Sequence, residues 1–291
     1  MKNGFNSNSV KYQQGKLVNV YPDENSIEVE DTEGAKSKIS YDCLVIVTGA
    51  SMVGPWRSED DSMKSMEQRD QDVREFREKL KAAKSILCIG AGATGCESAC
   101  YIKDTWPKKK VGICQRGNVM MPDIEGAHDI IKDYMKKIDV VYHHDSSFKE
   151  GEGVAAEYEA HVDCRGFRYD GPRKFMQGDL AQCVDGKTGQ IWVNEYCQVT
   201  NKHPIASNHQ PTSLKTYSNI FSMGDVCLTP SNEIKSIVSI CQYSDRVALN
   251  VQQVLGGGPE LQAIPTGPMF HNLCFIPLGK KGGVMAINGF V

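Results

Sequence analysis

Three glycines follow the apolar run SILCI and precede a helical pattern. Gly90-Ala91-Gly92-Ala93-Thr94-Gly95 has the spacing G-x-G-x-x-G. The first glycine of such a turn permits the sharp bend. The second lets the backbone approach a pyrophosphate, and the third lets helix and strand pack closely. Phosphates then meet the free N–H groups and the positive dipole end of the helix. The spacing is weak by itself and gains meaning from the strand before it and the helix after it. The chemistry implied is dinucleotide binding.

About 20 residues past such a turn, the second strand ends in Asp or Glu where the 2'-hydroxyl of NAD is read. Here that place falls to Gln115, with Arg116 beside it. A neutral amide can bond a ribose hydroxyl, and an arginine can neutralise a 2'-phosphate. The pattern leans away from strict NADH use, although Arg116 reads equally as a solvated loop residue. Glu97, two residues past Gly95, is expected in the first helical turn. It either complements the positive helix end, worth about 0.3–1 kcal/mol, or faces a nicotinamide. Two further strand-to-glycine turns flank this unit, Thr48-Gly49 after CLVIV and Gly224-Asp225 after NIFSM.

The remaining composition narrows the function. A net charge of -3 over 291 residues gives no electrostatic reason to bind nucleic acid. The run Lys108, Lys109, Lys110 is short and reads as a solvated turn. No apolar stretch approaches the ~20 residues that span a bilayer. MKNGFNSNSV has no apolar core of a secretory signal, so the expected location is cytoplasmic. The eleven cysteines show no C-x-x-C and no zinc spacing. They read as reduced thiols, and Cys96 and Cys100 as small helix residues packed on a sheet. His143 and His144 read as surface residues at a strand end. No metal site is expected.

The elements that must position these residues follow from periodicity. Short strands occupy 17–47, and CLVIV has the continuous apolar character of a strand buried on both faces. Residues 54–68 read as a polar connector. Val73, Phe76, Leu80 and Ala83 then form one helical stripe. After the glycine turn a helix runs to about Thr105, where Pro107 stops it, and KVGICQ is the next strand. IEGAHDIIKDYMKKI is amphipathic, with Ile124, Ala127, Ile131, Tyr134 and Ile138 in phase. VVYHHDSS and EYEAHVDC read as strands. From about Phe167 the texture becomes turns and short strands, GPRKFMQGDL among them. A long helix is expected from about Ser231 to Leu255, ended by Gly256, Gly257 and Gly258. NLCFIPLGKKGGVMAINGFV reads as a hairpin.

In this order, YDCLVIVTGA, IGAGATGCESA and NIFSMGD resemble the three signatures of the two-dinucleotide flavoproteins, the pyridine-nucleotide oxidoreductases. GAGATGCESACYIKDTWPKKKVGICQR and the C-terminal hairpin resemble the apoptosis-inducing-factor-like, mitochondrion-associated group, which includes the ferroptosis-suppressor quinone reductases. The resemblance covers about Lys11 to Val291. It implies an α/β fold in which a Rossmann-like NAD(P) domain is inserted in an FAD domain. The corresponding segments are 1–53 for the first FAD part, 54–84 for a connector and helix, and 85–168 for the NAD(P) domain. Residues 169–255 are expected as the second FAD part, and 256–291 as a truncated C-terminal hairpin segment. It implies FAD and NAD(P)H as cofactors, with hydride passing from NAD(P)H to FAD and electrons on to a quinone-type acceptor. Asp225 matches the acid that bonds the flavin ribityl chain, and Gly224 allows its close approach. Thr48 and Gly49 line the FAD, Glu97 matches an acid near the nicotinamide, and Lys235 a lysine near the flavin. Lys235 reads equally as an exposed lysine at a helix start. Where the group has Thr-Gly after a later strand, this chain has Arg165-Gly166. The family's first βαβ unit, which carries the FAD pyrophosphate turn, has no counterpart before Lys16. The alternative is therefore a non-catalytic NAD(P)-binding fragment. Relatives dock on membranes through other segments, so peripheral membrane association stays open.

Overall fold

The computed structural model describes residues 10–52, 65–122, 124–201, 215–231, 237–257, 260–264, 274–287 and 291. Strands β1 (Lys16–Tyr21), β2 (Ser26–Glu30) and β3 (Lys36–Ser40) form an antiparallel meander. Asn25, in the left-handed region at φ 46, turns the chain from β1 into β2. Val20 and Val29 point into the core. The next strands are β4 (Leu44–Ile46) and β5 (Ser51–Met52). The apolar run around β4 is not buried on both faces, contrary to the expectation. Val45 is 38% and Val47 54% exposed; among the described residues β4 is an edge strand, bonded to one neighbour alone.

Helix α1 (Met66–Ala82) starts inside the stretch read as connector. The Ser65 hydroxyl accepts Gln68 N–H at 3.2 Å, and Gln68 Oε1 accepts Ser65 N–H at 2.8 Å. This reciprocal cap satisfies two donors at the helix end. The pattern Ser-x-x-Gln was its sequence signal. Leu80 and Ala83 are buried and Phe76 packs beside them, while Val73 is exposed.

The chain then alternates strand and helix: β6 (Ser85–Ile89), α2 (Ala93–Thr105), β7 (Lys110–Cys114), α3 (Ala127–Lys137), β8 (Val140–His143) and β9 (Ala160–Asp163). The four strands are parallel in the order β8-β7-β6-β9. Strand order reverses beside β6, and such a switch opens a crevice at the carboxyl end of the sheet. Alternation divides the two faces. Ile86 and Cys88 join the core under α1, α2 and α3, while Leu87 and Ile89 pack with Cys114 and Tyr158 opposite. The lysine run is more than a solvated turn. Lys109 Nζ bonds Lys81 O at 2.7 Å and also Ala83 O, so it caps the end of α1 as basic side chains do. Lys110 pairs with Glu157 at 2.9 Å.

Strand β10 (Phe167–Arg168) pairs antiparallel with β5, so the chain returns along the path by which it left. GPRKFMQGDL does not stay irregular. It forms the short helix α4 (Asp170–Phe175) and a following 3-10 turn, because Phe175, Met176 and Leu180 reach a common core. Next come β11 (Ile191–Trp192), β12 (Gln198–Thr200), β13 (Thr216–Ser222), β14 (Cys227–Leu228) and α5 (Ile237–Val254). The sheet order is β12-β13-β4, with β13 parallel to β4; β11 and β14 form a parallel pair. Ile220 faces Phe175 and Leu180, and Phe221 faces Tyr243 and Val247 of α5.

The terminal hairpin, β15 (Cys274–Leu278) and β16 (Gly282–Ala286), lays Ile276, Leu278, Val284 and Ala286 on the core shared by α2 and α3. Lys280 N–H donates to Asp104 Oδ2 of α2 at 2.6 Å. No described helix is long and apolar enough to cross a membrane.

Candidate functional site

β6 delivers the chain into Gly90, whose φ of +98 is in the left-handed region that favours glycine. A Cβ at Gly95 would lie 1.8 Å from Gly90 O, so helix and strand approach too closely for any side chain. Gly92 differs. It is the N-cap of α2 without a side-chain cap, and a Cβ there would meet no protein atom within 4 Å. The outer glycines are thus demanded by packing, while the middle one faces open space beside the free N–H groups of the helix. Thr94 lies in the first turn, its carbonyl accepting the Ser98 hydroxyl at 2.6 Å. These features fit the pyrophosphate of a dinucleotide.

The loop is braced from β7. Gly90 N–H bonds Cys114 O at 2.8 Å, and Met121 N–H bonds Ala91 O at 3.0 Å. Gln115 Oε1 accepts Ala91 N–H at 3.0 Å, and its Nε2 donates to Val119 O. Gln115 therefore sits against the glycine turn with both ends of its amide bonded to backbone. Arg116, next to it, is exposed.

Glu97 lies beyond the first turn of α2, which holds no acid, because Gly92 rather than a later residue caps the helix. The expected first-turn placement is corrected accordingly. Dipole effects fade past the first turn, which weakens the helix-end reading. Burial raises the Glu97 carboxyl above its usual range. Its charge in turn helps raise the thiol of Cys274 on β15, where burial dominates. Cys96 and Cys100 are buried, and burial pushes the Cys100 thiol up to about 12. Arg165, at the end of β9, donates through Nε to Asp163 Oδ1 at 2.9 Å. Burial would raise the Asp163 carboxyl, but the hydrogen bonds from Arg165 hold it below its usual range.

A second set of turns lies at the carboxyl ends of β4 and β13. Ile46 pairs with Ser222, and Met223 N–H bonds Ile46 O at 3.2 Å. This brings Thr48-Gly49 and Gly224-Asp225 to one edge. Gly49 (φ +67) and Gly224 (φ +76) both need the left-handed conformation, and the space at Gly49 is open. Thr48 is exposed. Asp225 starts a one-turn 3-10 segment with Gly224, and its main-chain oxygen accepts Gln190 Nε2 at 3.0 Å. Its half-buried carboxylate makes no hydrogen bond among the described residues. Burial raises the Tyr169 hydroxyl, and the Asp225 charge adds to that. An acid held this way fits the hydroxyls of a ribityl chain. Lys235 lies outside the described residues. Gln190 and Tyr169 were missed from sequence; each approaches Asp225 only through the fold, and neither has a local signal.

Comparison with known proteins places these turns in context. The family model of the pyridine nucleotide-disulphide oxidoreductases matches residues 3–243. An FAD-dependent oxidoreductase from Flammulina velutipes is 34% identical over 279 residues, covering 94% of this chain and 82% of that one. Apoptosis-inducing factor homolog A of Dictyostelium discoideum is 23% identical over 321 residues, covering 99% of this chain and 70% of that protein. The solved sulfide:quinone oxidoreductase of Aquifex aeolicus superposes with a TM-score of 0.65 at 17% identity, over 95% of this chain and 68% of that one. At that identity the likeness is one of fold. Other solved neighbours are matched over 37%, 50% and 53% of their length, so the chain spans about half of them.

Proposed function

The chain belongs to the pyridine nucleotide-disulphide oxidoreductase family, whose members are FAD-dependent NAD(P)H oxidoreductases, and from that premise we propose that it carries electrons from NAD(P)H through FAD to a quinone-type acceptor. The observation that carries the reading is the pair of glycine turns at the carboxyl ends of parallel strand pairs in two separate sheets. When bound, the two cofactors supply the hydride and electron transfer.

The residues of this chain bind and orient. Gly90, Gly92 and Gly95 shape a cradle in which the first-turn N–H groups of α2, that of Thr94 included, hold the dinucleotide pyrophosphate. Thr48, Gly49 and Gly224 bring backbone close to the flavin, and Asp225 accepts hydrogen bonds from its ribityl hydroxyls. Glu97 is the acid for the nicotinamide side of the cleft, and a role for Lys235 beside the flavin rests on the resemblance alone. In this reading 85–168 is a nucleotide unit inserted between 1–53 and 169–255, with the β5–β10 ribbon as the crossover. The segment 54–84 supplies its packing helix, and 256–291 its covering hairpin. The quinone-type acceptor rests on the resemblance to the ferroptosis-suppressor group.

Purified protein should show the visible absorption of bound flavin. Anaerobic NADPH should bleach it, and a soluble ubiquinone analogue should restore it. A colourless protein that binds the nucleotide supports the non-catalytic fragment instead. A bleached flavin reoxidised by ferricyanide but not by the quinone refutes the acceptor alone.

A further inference from the structure

In a parallel-sheet dinucleotide site, the residue ending the second strand faces the adenosine ribose, and a carboxylate there accepts from its free 2'-hydroxyl. β7 is that strand, and Gln115 is the residue that follows it. The Gln115 amide is engaged at both ends. Its Oε1 takes the Ala91 N–H at 3.0 Å, and its Nε2 bonds Val119 O. Ala91 is held a second time, since its carbonyl accepts Met121 N–H. Gln115 therefore pins the 115–121 loop to the glycine turn.

No carboxylate occurs from Cys114 to Pro122. The acid on the neighbouring strand end is Asp145, whose N–H bonds Gly117 O at 3.1 Å. Its carboxylate is turned to His144 Nδ1 at 2.8 Å. Among residues 114–122 a free 2'-hydroxyl thus meets no anionic acceptor. A 2'-phosphate carries up to about two negative charges, and Arg116, next in the chain to Gln115, is exposed and open to a ligand. Arginine is the side chain suited to two-point recognition of phosphate.

We propose that the site selects the 2'-phosphorylated dinucleotide NADPH over NADH, with Arg116 gripping the 2'-phosphate and Gln115 holding the Arg116 loop against the glycine turn. Arg116 is the specificity-determining residue and Gln115 a positioning residue. The inference rests on the reading of the glycine turn as a dinucleotide cradle.

Anaerobic calorimetric titration of the purified holoprotein, its flavin already reduced by dithionite, with NADPH, NADH and 2',5'-ADP tests it without any turnover. NADPH should bind at least about tenfold more tightly than NADH, a difference of about 1.4 kcal/mol. 2',5'-ADP should compete with NADPH where 5'-AMP does not. Added salt should weaken NADPH more steeply than NADH, because an exposed ion pair is screened. Arg116→Ala should erase the preference by weakening NADPH alone. Gln115→Ala should weaken both dinucleotides by a similar factor. Gln115→Glu keeps an oxygen for Ala91 N–H but sets a charge against Val119 O in place of the donor, so it should weaken both dinucleotides and, by repelling the 2'-phosphate, NADPH the more. Equal affinities in the unaltered protein overturn the proposal whether or not any variant folds. An Arg116→Ala variant that weakens both dinucleotides equally removes Arg116 from the role. Failure of both dinucleotides to bind overturns the cradle reading itself, while the flavin spectrum reports separately on electron transfer.

Discussion

Glu97 is a carboxylate that burial penalises, set on a helix past the reach of the dipole. Because its folded pKa is raised, the stability it contributes is full below its ordinary value of 4.5 and is lost as pH rises through the folded value. A glutamine has no charge to desolvate. Glu97→Gln should therefore melt no lower than the unaltered protein at pH 7, with the difference vanishing below about pH 4.5. If Glu97 works beside the nicotinamide, the same variant loses turnover. Thermal melts at the two pH values and steady-state rates check this, and a variant with lower melting temperature and full activity returns Glu97 to a structural role. What was legible at this scale was local. The glycine spacing sits within six residues, and its first and third positions make the tight turn and the close helix–strand approach that the spacing implies. The Gln115 amide was not legible in the same way. Its acceptor role toward Ala91 spans 24 positions, and no sequence window sees both ends. The approach of Tyr169 and Gln190 to Asp225 fails to register for the same reason.

The terminal hairpin is amphipathic across its two strands. Ile276 is 1% exposed, and its cross-strand partner Val284 3%. Phe275 and Met285, paired on the opposite face, are 65% and 54% exposed. The inner face belongs to the core of α2 and α3, although it lies far from them in sequence. Ile276→Ala should cost about 2–5 kcal/mol, as buried aliphatic truncations do, and Phe275→Ala no more than about 0.5 kcal/mol. Chemical denaturation of the two variants separates these outcomes, and equal costs would mean that the hairpin does not cover the nucleotide unit. Periodicity gave the hairpin and the helices α2 and α3 their places, since each has a regular apolar phase. It misjudged β4. A run of five apolar residues reads as fully buried, but that needs layers packed over both faces, and among the described residues β4 is an edge strand bonded to β13 alone. It also passed over Ser65, because a capping pattern announces a helix end without any apolar residue.

The two groups of turns stand on different hydrophobic cores. Ile86, Val111 and Val162 belong to the core on the four-stranded sheet β8-β7-β6-β9, and Ile46 and Ile220 to that on the sheet of β4 and β13. The chain passes between them through the short ribbon of β5 and β10. Substitutions confined to one core, without shared partners, act independently of the other. Gly92→Asp is the sharper probe of the first site. Open space lies beyond Gly92, and aspartate is a favoured N-cap residue, so the variant should melt no lower than the unaltered protein. Its carboxylate would occupy the anion cradle and repel a dinucleotide pyrophosphate. Asp225→Ala removes the acceptor at the second site and leaves α2 untouched. Gly92→Asp should therefore retain flavin colour and lose NADPH binding. Asp225→Ala should bind NADPH and come away with little flavin. Both should lose quinone reduction, since that needs the two cofactors together. Absorption spectra and nucleotide titration of the same preparations decide the matter, and loss of both ligands in either variant would mean that one shared site, rather than two, governs this molecule.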